Sequence, residues 1–224
     1  YIMSGFNLSK GTSFNLSKAA PGLSVAYVGL GWDANDDPNG PIFDLDVSAL
    51  CLGEDGQISE MSDFVFYGSD QTTILDGEKE ARPYSNDGAV YGAIDEIGGG
   101  EGDDDDGDDG DEEDMRIYFE RVAEDIKEIV IVVTITKYPN DEDKDKRTLD
   151  LDMSQVKGCY ARIIDDATQT ELCTYTLSDD FGKEDAVEIG KFSKDSAGEW
   201  NFKAIGEGYE GGIMTFIKKY AKRF

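Results

Sequence analysis

The apolar residues of this chain come in short runs punctuated by Asn, Asp, Gly and Ser, and that pattern leaves little room for anything but β-structure. The longest run, Ile129 to Ile135 with Thr134 inside it, is far short of a membrane-spanning helix. Strands are expected at Ser24–Trp32, Ile42–Leu52, Asp63–Tyr67, Arg116–Val122, Glu128–Lys137, Lys157–Ile164, Glu171–Leu177, Ala186–Phe192 and Trp200–Ile205, all rich in Val, Ile, Tyr, Phe and Thr. Glu128 to Thr136 is apolar nearly throughout, as a central strand should be. Phe43-Asp-Leu-Asp-Val-Ser-Ala49 alternates strictly, with one apolar and one polar face. One helix is expected, Ile213 to Phe224, where Ile213, Phe216, Ile217 and Tyr220 share a face and the basic residues gather at the C-terminal end. Phe6-Asn-Leu-Ser-Lys10 recurs as Phe14-Asn-Leu-Ser-Lys18 across a Gly turn, which reads as a hairpin. The fold expected is all-β and mainly antiparallel: one domain over residues 1–224, a two-sheet sandwich with a long acidic Gly/Asp loop and a short C-terminal helix. Tyr1 and Ile2, ahead of Met3, read as an expression remnant.

Charge sets the next limits. The 224 residues carry 49 Asp and Glu against 21 Lys and Arg, a net charge of −28. Nucleic acids and anionic membranes are polyanions, so neither is an expected partner, and direct membrane insertion is not expected. The chain has no histidine, which excludes Ser-His-Asp and Cys-His catalysis and His-bearing zinc sites. Cys51, Cys159 and Cys173 form no C-x-x-C and no evident disulfide framework, and with no signal peptide in view the cytoplasm is the expected compartment.

The acidity concentrates between Asp95 and Asp114, which holds 13 carboxylates and no basic residue. Such a run can be a solvated charge block. Carboxylates that converge need a counter-charge, and a donor set of oxygen without His or Cys selects Ca²⁺ or Mg²⁺, with irregular Asp/Gly loops better suited to Ca²⁺. Asp44 and Asp46 lie two apart on one strand face, about 6–7 Å from each other along it, although an exposed strand alternates in the same way. Asp33 to Gly40 offers oxygens at alternate positions, but Pro38 stands where an EF-hand requires Gly, so it is no EF-hand. The Asp141–Asp145 run and the Asp150/Asp152 pair read as solvent-facing.

Three motifs carry no function. Gly206-x-Gly-x-x-Gly211 lacks the parallel strand and acidic residue that a dinucleotide site needs, and reads as a strand-to-helix corner. Ser154-x-x-Lys157 has no partner motifs. Carboxylate pairs for glycoside hydrolysis would come with an aromatic-lined cleft, which two tryptophans support poorly. No enzymatic activity is expected.

Val28-Gly-Leu-Gly-Trp-Asp33, Phe43-Asp-Leu-Asp-Val-Ser-Ala49, Asp63-Phe-Val-Phe-Tyr67, Val132-Val-Thr-Ile135 and Gly198-Glu-Trp with Gly206-Glu-Gly-Tyr-Glu-Gly-Gly212 together resemble the TerD family of tellurium-resistance and stress proteins, in order along nearly the whole chain. The resemblance implies a calcium-binding β-sandwich, typically with two ions, and unidentified protein partners such as other stress-response proteins. It implies ligands at Asp33, Asp44 and Asp46 and, in the acidic loop, at Asp95, Asp103, Asp111, Glu112 and Glu113. The sequence departs from the family where Ile94-Asp95-Glu96 stands for Gly-Asp-Asn, and where Gly68-Ser69-Asp70 replaces an Asn-rich continuation. The alternative is a metal-independent acidic interaction module, separated from a binder by whether Asp44, Asp46 and the loop carboxylates converge. Tellurite is an anion that this charge would repel, so its direct binding is disfavoured.

Overall fold

The structure is a computed structural model that describes residues 6–37, 40–95, 110–137, 151–177 and 181–222. Along the chain come β1 (Phe6–Asn7), β2 (Ser13–Asn15), α1 (Leu16–Ala19), β3 (Val25–Gly31), β4 (Leu45–Leu52) and β5 (Phe64–Val65). There follow β6 (Thr72–Thr73), β7 (Arg82–Pro83), β8 (Val90–Tyr91), β9 (Glu113–Tyr118) and β10 (Glu128–Ile135). The chain finishes with β11 (Tyr160–Asp165), β12 (Thr170–Thr176), β13 (Ala186–Lys194), β14 (Trp200–Tyr209) and α2 (Ile213–Tyr220). They build two six-stranded sheets, ordered β1-β12-β11-β3-β9-β8 and β2-β14-β13-β10-β4-β5, and a small ribbon β6-β7. Every described strand pair is antiparallel except β1 with β12. The expected all-β architecture of two sheets and a short C-terminal helix is what forms.

The alternation of each strand decides where the core lies. Val28 and Leu30 of β3, Met115 and Ile117 of β9 and Ile163 of β11 share one buried cluster with Val47 and Ala49 of β4, Ile131 and Val133 of β10 and Phe202 of β14. That cluster is the filling of the sandwich. The opposite faces of β4 and β10 are covered too: Leu50, Leu52, Val130 and Val132 pack with Ile58, Phe64 and Phe216 of α2. Two buried faces explain why β10 is apolar at nearly every position.

Helix α2 docks through the face its periodicity marks, with Ile213, Ile217 and Tyr220 around the fully buried Phe216. Its first turn is anchored by Asp185, whose Oδ1 accepts from the Gly211 and Gly212 amides at 2.8 Å each, while Lys137 Nζ reaches Oδ2 at 2.6 Å. The helix stops at Tyr220 because Ala221 turns extended and bridges to Ile58. The glycines of the rejected dinucleotide motif close β14 and turn the corner into α2.

The N-terminal repeat is not a hairpin. Its first copy adds β1 to the outer edge of β12, and its second adds β2 to the edge of β14, in the opposite sheet. The crossing buries Leu8 and Leu16 in the sandwich, each worth about 1.5–3 kcal/mol, and covers one edge of each sheet. A hairpin would protect one edge only. Asn15 accepts from the Lys18 amide at 2.8 Å and starts α1, so the second Leu-Ser-Lys is helical. β9 also differs from expectation: it starts at Glu113, so the last two carboxylates of the acidic run belong to a strand.

Candidate metal centre

The polar face of β4 is not exposed. Asp44, Asp46 and Ser48 are each at most 2 % accessible, and burying a carboxylate without compensation is costly. The ladder fixes their neighbours. Asp46 lies opposite Thr134 on β10, and the Thr136 amide donates to the Asp44 carbonyl at 2.8 Å. The Thr136 hydroxyl donates to Asp46 Oδ2 at 2.5 Å. The other oxygen, Asp46 Oδ1, is buried with no hydrogen-bond partner among the described residues, as are the Ser48 and Thr134 hydroxyls beside it.

Two further carboxylates arrive from the ends of the acidic run. Asp95 closes the segment after β8, and its carboxylate meets those of Asp44 and Asp46 with one oxygen from each within 4.8 Å of the others. Glu113, the first residue of β9, is buried and accepts from the Val47 amide at 2.8 Å. Tyr67 is 45 % exposed, and its phenol is raised by burial and by the nearby Asp46, Asp44 and Asp95 charges.

The electrostatics are those of negative charge held without relief. Burial pushes Asp46 up to about 8, against the Thr136 hydrogen bond, and the neighbouring Asp44 and Asp95 charges add to the rise. Burial likewise lifts Glu113 well above the usual carboxylate range, with Asp46, Asp95 and Asp44 contributing. Asp95 is raised by burial alone. No described lysine or arginine offsets Asp46, Asp95 or Glu113. Convergent carboxylates with an orphaned buried oxygen fit a hard divalent cation, and Ca²⁺ most readily, because their spacing is irregular and the donors are all oxygen.

The remaining expected ligands stand elsewhere. Asp33 is exposed beyond the end of β3, its amide on the Lys157 carbonyl and its carboxylate against Gly158. Asp111 is held by Arg162, whose Nε reaches both its oxygens at 2.9 Å and whose Nη2 reaches Oδ2 at 2.8 Å. Gly29 makes room for that pair, since a Cβ there would lie 2.0 Å from Asp111 Oδ2. Gly31 likewise seats the Tyr160 ring, whose hydroxyl donates to the Gly110 carbonyl at 2.9 Å. The Gly-Leu-Gly of β3 therefore pins the exit of the acidic run. Glu112 is partly buried and extends the pairing to Leu30 through its amide. Asp103, the Asp141–Asp145 run and Asp150 lie outside the described residues. Asp152 caps a short turn at Met153–Gln155.

Sequence reasoning missed Thr134, Thr136 and Tyr67. The two threonines did leave a signal, as the alternate polar positions at the end of an otherwise apolar strand.

A family model described as the TerD domain matches residues 4–220. The tellurium resistance protein TerD of Serratia marcescens is 35 % identical, over 96 % of each chain. General stress protein 16U of Bacillus subtilis (strain 168) is 34 % identical, also over 96 % of each. Among solved structures, a homologue of TerD from Streptomyces coelicolor A3(2) superposes with a TM-score of 0.64 at 18 % identity, covering 90 % of this chain and all of that one; at that identity the likeness speaks for the fold.

Proposed function

Because this chain belongs to the TerD family of tellurium-resistance and stress proteins, we propose that it is a non-catalytic calcium-binding protein whose metal site joins the acidic run to β4 and shapes a surface for a protein partner. The observation that carries this reading is the convergence of Asp44, Asp46 and Asp95 around a buried, unpartnered Asp46 oxygen. A docking tail without a metal would need no such convergence, which is why the metal-independent reading ranks second. A bound divalent ion would supply the positive charge that the neighbouring side chains do not.

The chain's own residues do the rest. Asp44 and Asp46 hold fixed positions because β10 pairs β4 along its whole length and the Thr136 amide continues the ladder to the Asp44 carbonyl. Thr136 occupies one oxygen of Asp46 and leaves the other without a described partner, in a carboxylate that converges with those of Asp44 and Asp95. Asp95 and Glu113 bring in the beginning and the end of the acidic run, so occupancy there would tie both ends to one strand. The partner, proposed to be another protein of the stress response, would read that surface. Two Ca²⁺ ions are proposed, and Asp33, Asp111 and Glu112 stand outside the convergent group of Asp44, Asp46 and Asp95.

The test is thermal unfolding of chelator-stripped protein in Ca²⁺, in Mg²⁺ and in monovalent salt of matched ionic strength. Binding to the folded state adds RT ln(1+[L]/Kd), about 2.7 kcal/mol at 100-fold excess over Kd. A large shift specific to Ca²⁺ and lost in Asp44→Asn/Asp46→Asn is expected. Equal small shifts in all three salts would mean charge screening and defeat the proposal.

A further inference from the structure

The ribbon β6-β7 carries a buried charge that the sandwich itself does not require. Arg82, at the start of β7, is 4 % exposed. Its Nε faces both carboxylate oxygens of Glu78 at 2.7 and 2.8 Å, and its Nη2 donates to Asp114 Oδ1 at 2.8 Å. Nη1 donates to two carbonyls at once, Gly92 at 3.0 Å and Asp114 at 2.8 Å. Arg116 closes the network on Asp114 Oδ2 at 2.9 Å and Glu78 Oε1 at 3.3 Å.

Those two carbonyls matter because of where they lie. The β8–β9 ladder ends at Tyr91 opposite Arg116. Just beyond it, one residue after Tyr91 and two before Arg116, the carbonyls of Gly92 and Asp114 are both acceptors and cannot bond each other, so the guanidinium bridges them. Gly92 is three residues before Asp95, and Asp114 is next to Glu113. The Gly92 amide also donates to the Pro83 carbonyl at 2.8 Å, in contact so close that a Cβ on Gly92 would lie 2.8 Å from Pro83 and 2.9 Å from Val65.

We infer that Arg82 is a positioning residue for the divalent-cation site: it holds the two arms that bear Asp95 and Glu113 at a fixed separation, and so sets the site's affinity without touching the ion. The inference rests on the calcium reading above. The carboxylates on the two arms repel each other, and a site that is held together in advance loses less on binding. Lysine keeps the charge but is a single point donor, and cannot span two carbonyls and two carboxylates in one plane.

The experiment compares Ca²⁺ Kd, by calorimetry on the full chain, for the unaltered protein, Arg82→Lys and Phe202→Leu. Phe202 is a buried core residue on β14, in the sheet opposite the one that carries β8 and β9, so its variant loses stability without disturbing the arms. Arg82→Lys should weaken Ca²⁺ at least tenfold, and Phe202→Leu should stay within twofold. If Arg82→Lys does not fold, Glu78→Gln replaces it, with at least a threefold loss expected. Unchanged affinity in the ribbon variant, or an equal loss in Phe202→Leu, would overturn the inference. Failure of the unaltered protein to bind Ca²⁺ would instead bring down the calcium reading and this inference with it.

Discussion

Asp46→Asn should make the metal-free protein more stable at alkaline pH, although it alters a fully buried residue. The side chain keeps its shape and its contact with Thr136 but can no longer ionise. In the folded, metal-free chain Asp46 titrates at about 8, against about 3.9 when unfolded. The folded state therefore holds the proton more tightly, so this contribution to stability is complete below pH 4 and is lost as pH rises through 8. The displacement corresponds to a loss on the order of 5 kcal/mol above pH 8. Asparagine removes that loss. Urea unfolding in chelator should therefore find the variant within about 1 kcal/mol of the parent at pH 4, and about 3–5 kcal/mol more stable at pH 9, roughly 10 °C in Tm. In saturating Ca²⁺ the order should reverse, because only the parent gains from the ion. A variant less stable than the parent at pH 9 in chelator, or an offset equal at both pH values, would refute the view that Asp46 is a buried charge awaiting a counter-ion.

Other perturbations separate the site from its scaffold. Glu113→Gln should raise metal-free stability at neutral pH, since the raised carboxyl is neutralised while an amide oxygen can still accept from Val47, and it should shrink the Ca²⁺-induced Tm shift; a full shift would place Glu113 outside the site. Asp185 lies below the usual carboxylate range, where its bonds to Lys137, Gly212 and Gly211 outweigh its burial. Its contribution is therefore present above pH 4 and lost as pH falls through its lowered folded value, and Asp185→Asn should cost about 1–2 kcal/mol at pH 7 and progressively less in acid, as measured by urea unfolding. Phe216→Ala empties the space under α2 and should cost about 3–5 kcal/mol with the Ca²⁺ response intact. Gly29→Ala would drive a methyl into Asp111, so limited proteolysis should cut the acidic run faster than in the parent.

Much of this could be read from the chain. Strand existence followed from alternation, and the helix face from its period, because both are set by local geometry. The Asp44/Asp46 pair was visible as alternation, but its burial was not: the neighbours of Asp46 on β10, Thr134 and Thr136, come from about 90 residues along the chain. Leu8 and Leu16 illustrate the same limit. Identical pentapeptides gave no sign that one would join each sheet, since the edges they protect are built by β12 and β14 some 160 residues or more later. Asp111 was expected as a ligand through the family resemblance, and only the fold brings Arg162 against it. Thr136 and Arg82 carried no carboxylate and drew no notice, yet they orient Asp46 and brace the arms of Asp95 and Glu113.

The most direct test of the account is calorimetric titration of chelator-stripped protein with Ca²⁺ at pH 7.5, repeated in two buffers of different ionisation enthalpy, for the parent and Asp46→Asn. The account predicts saturable binding by the parent with net release of protons, because Asp46, raised to about 8, holds its proton at pH 7.5 until the ion displaces it, and loss of that binding in the variant. No saturable heat in the parent, or binding undiminished by Asp46→Asn, would contradict it.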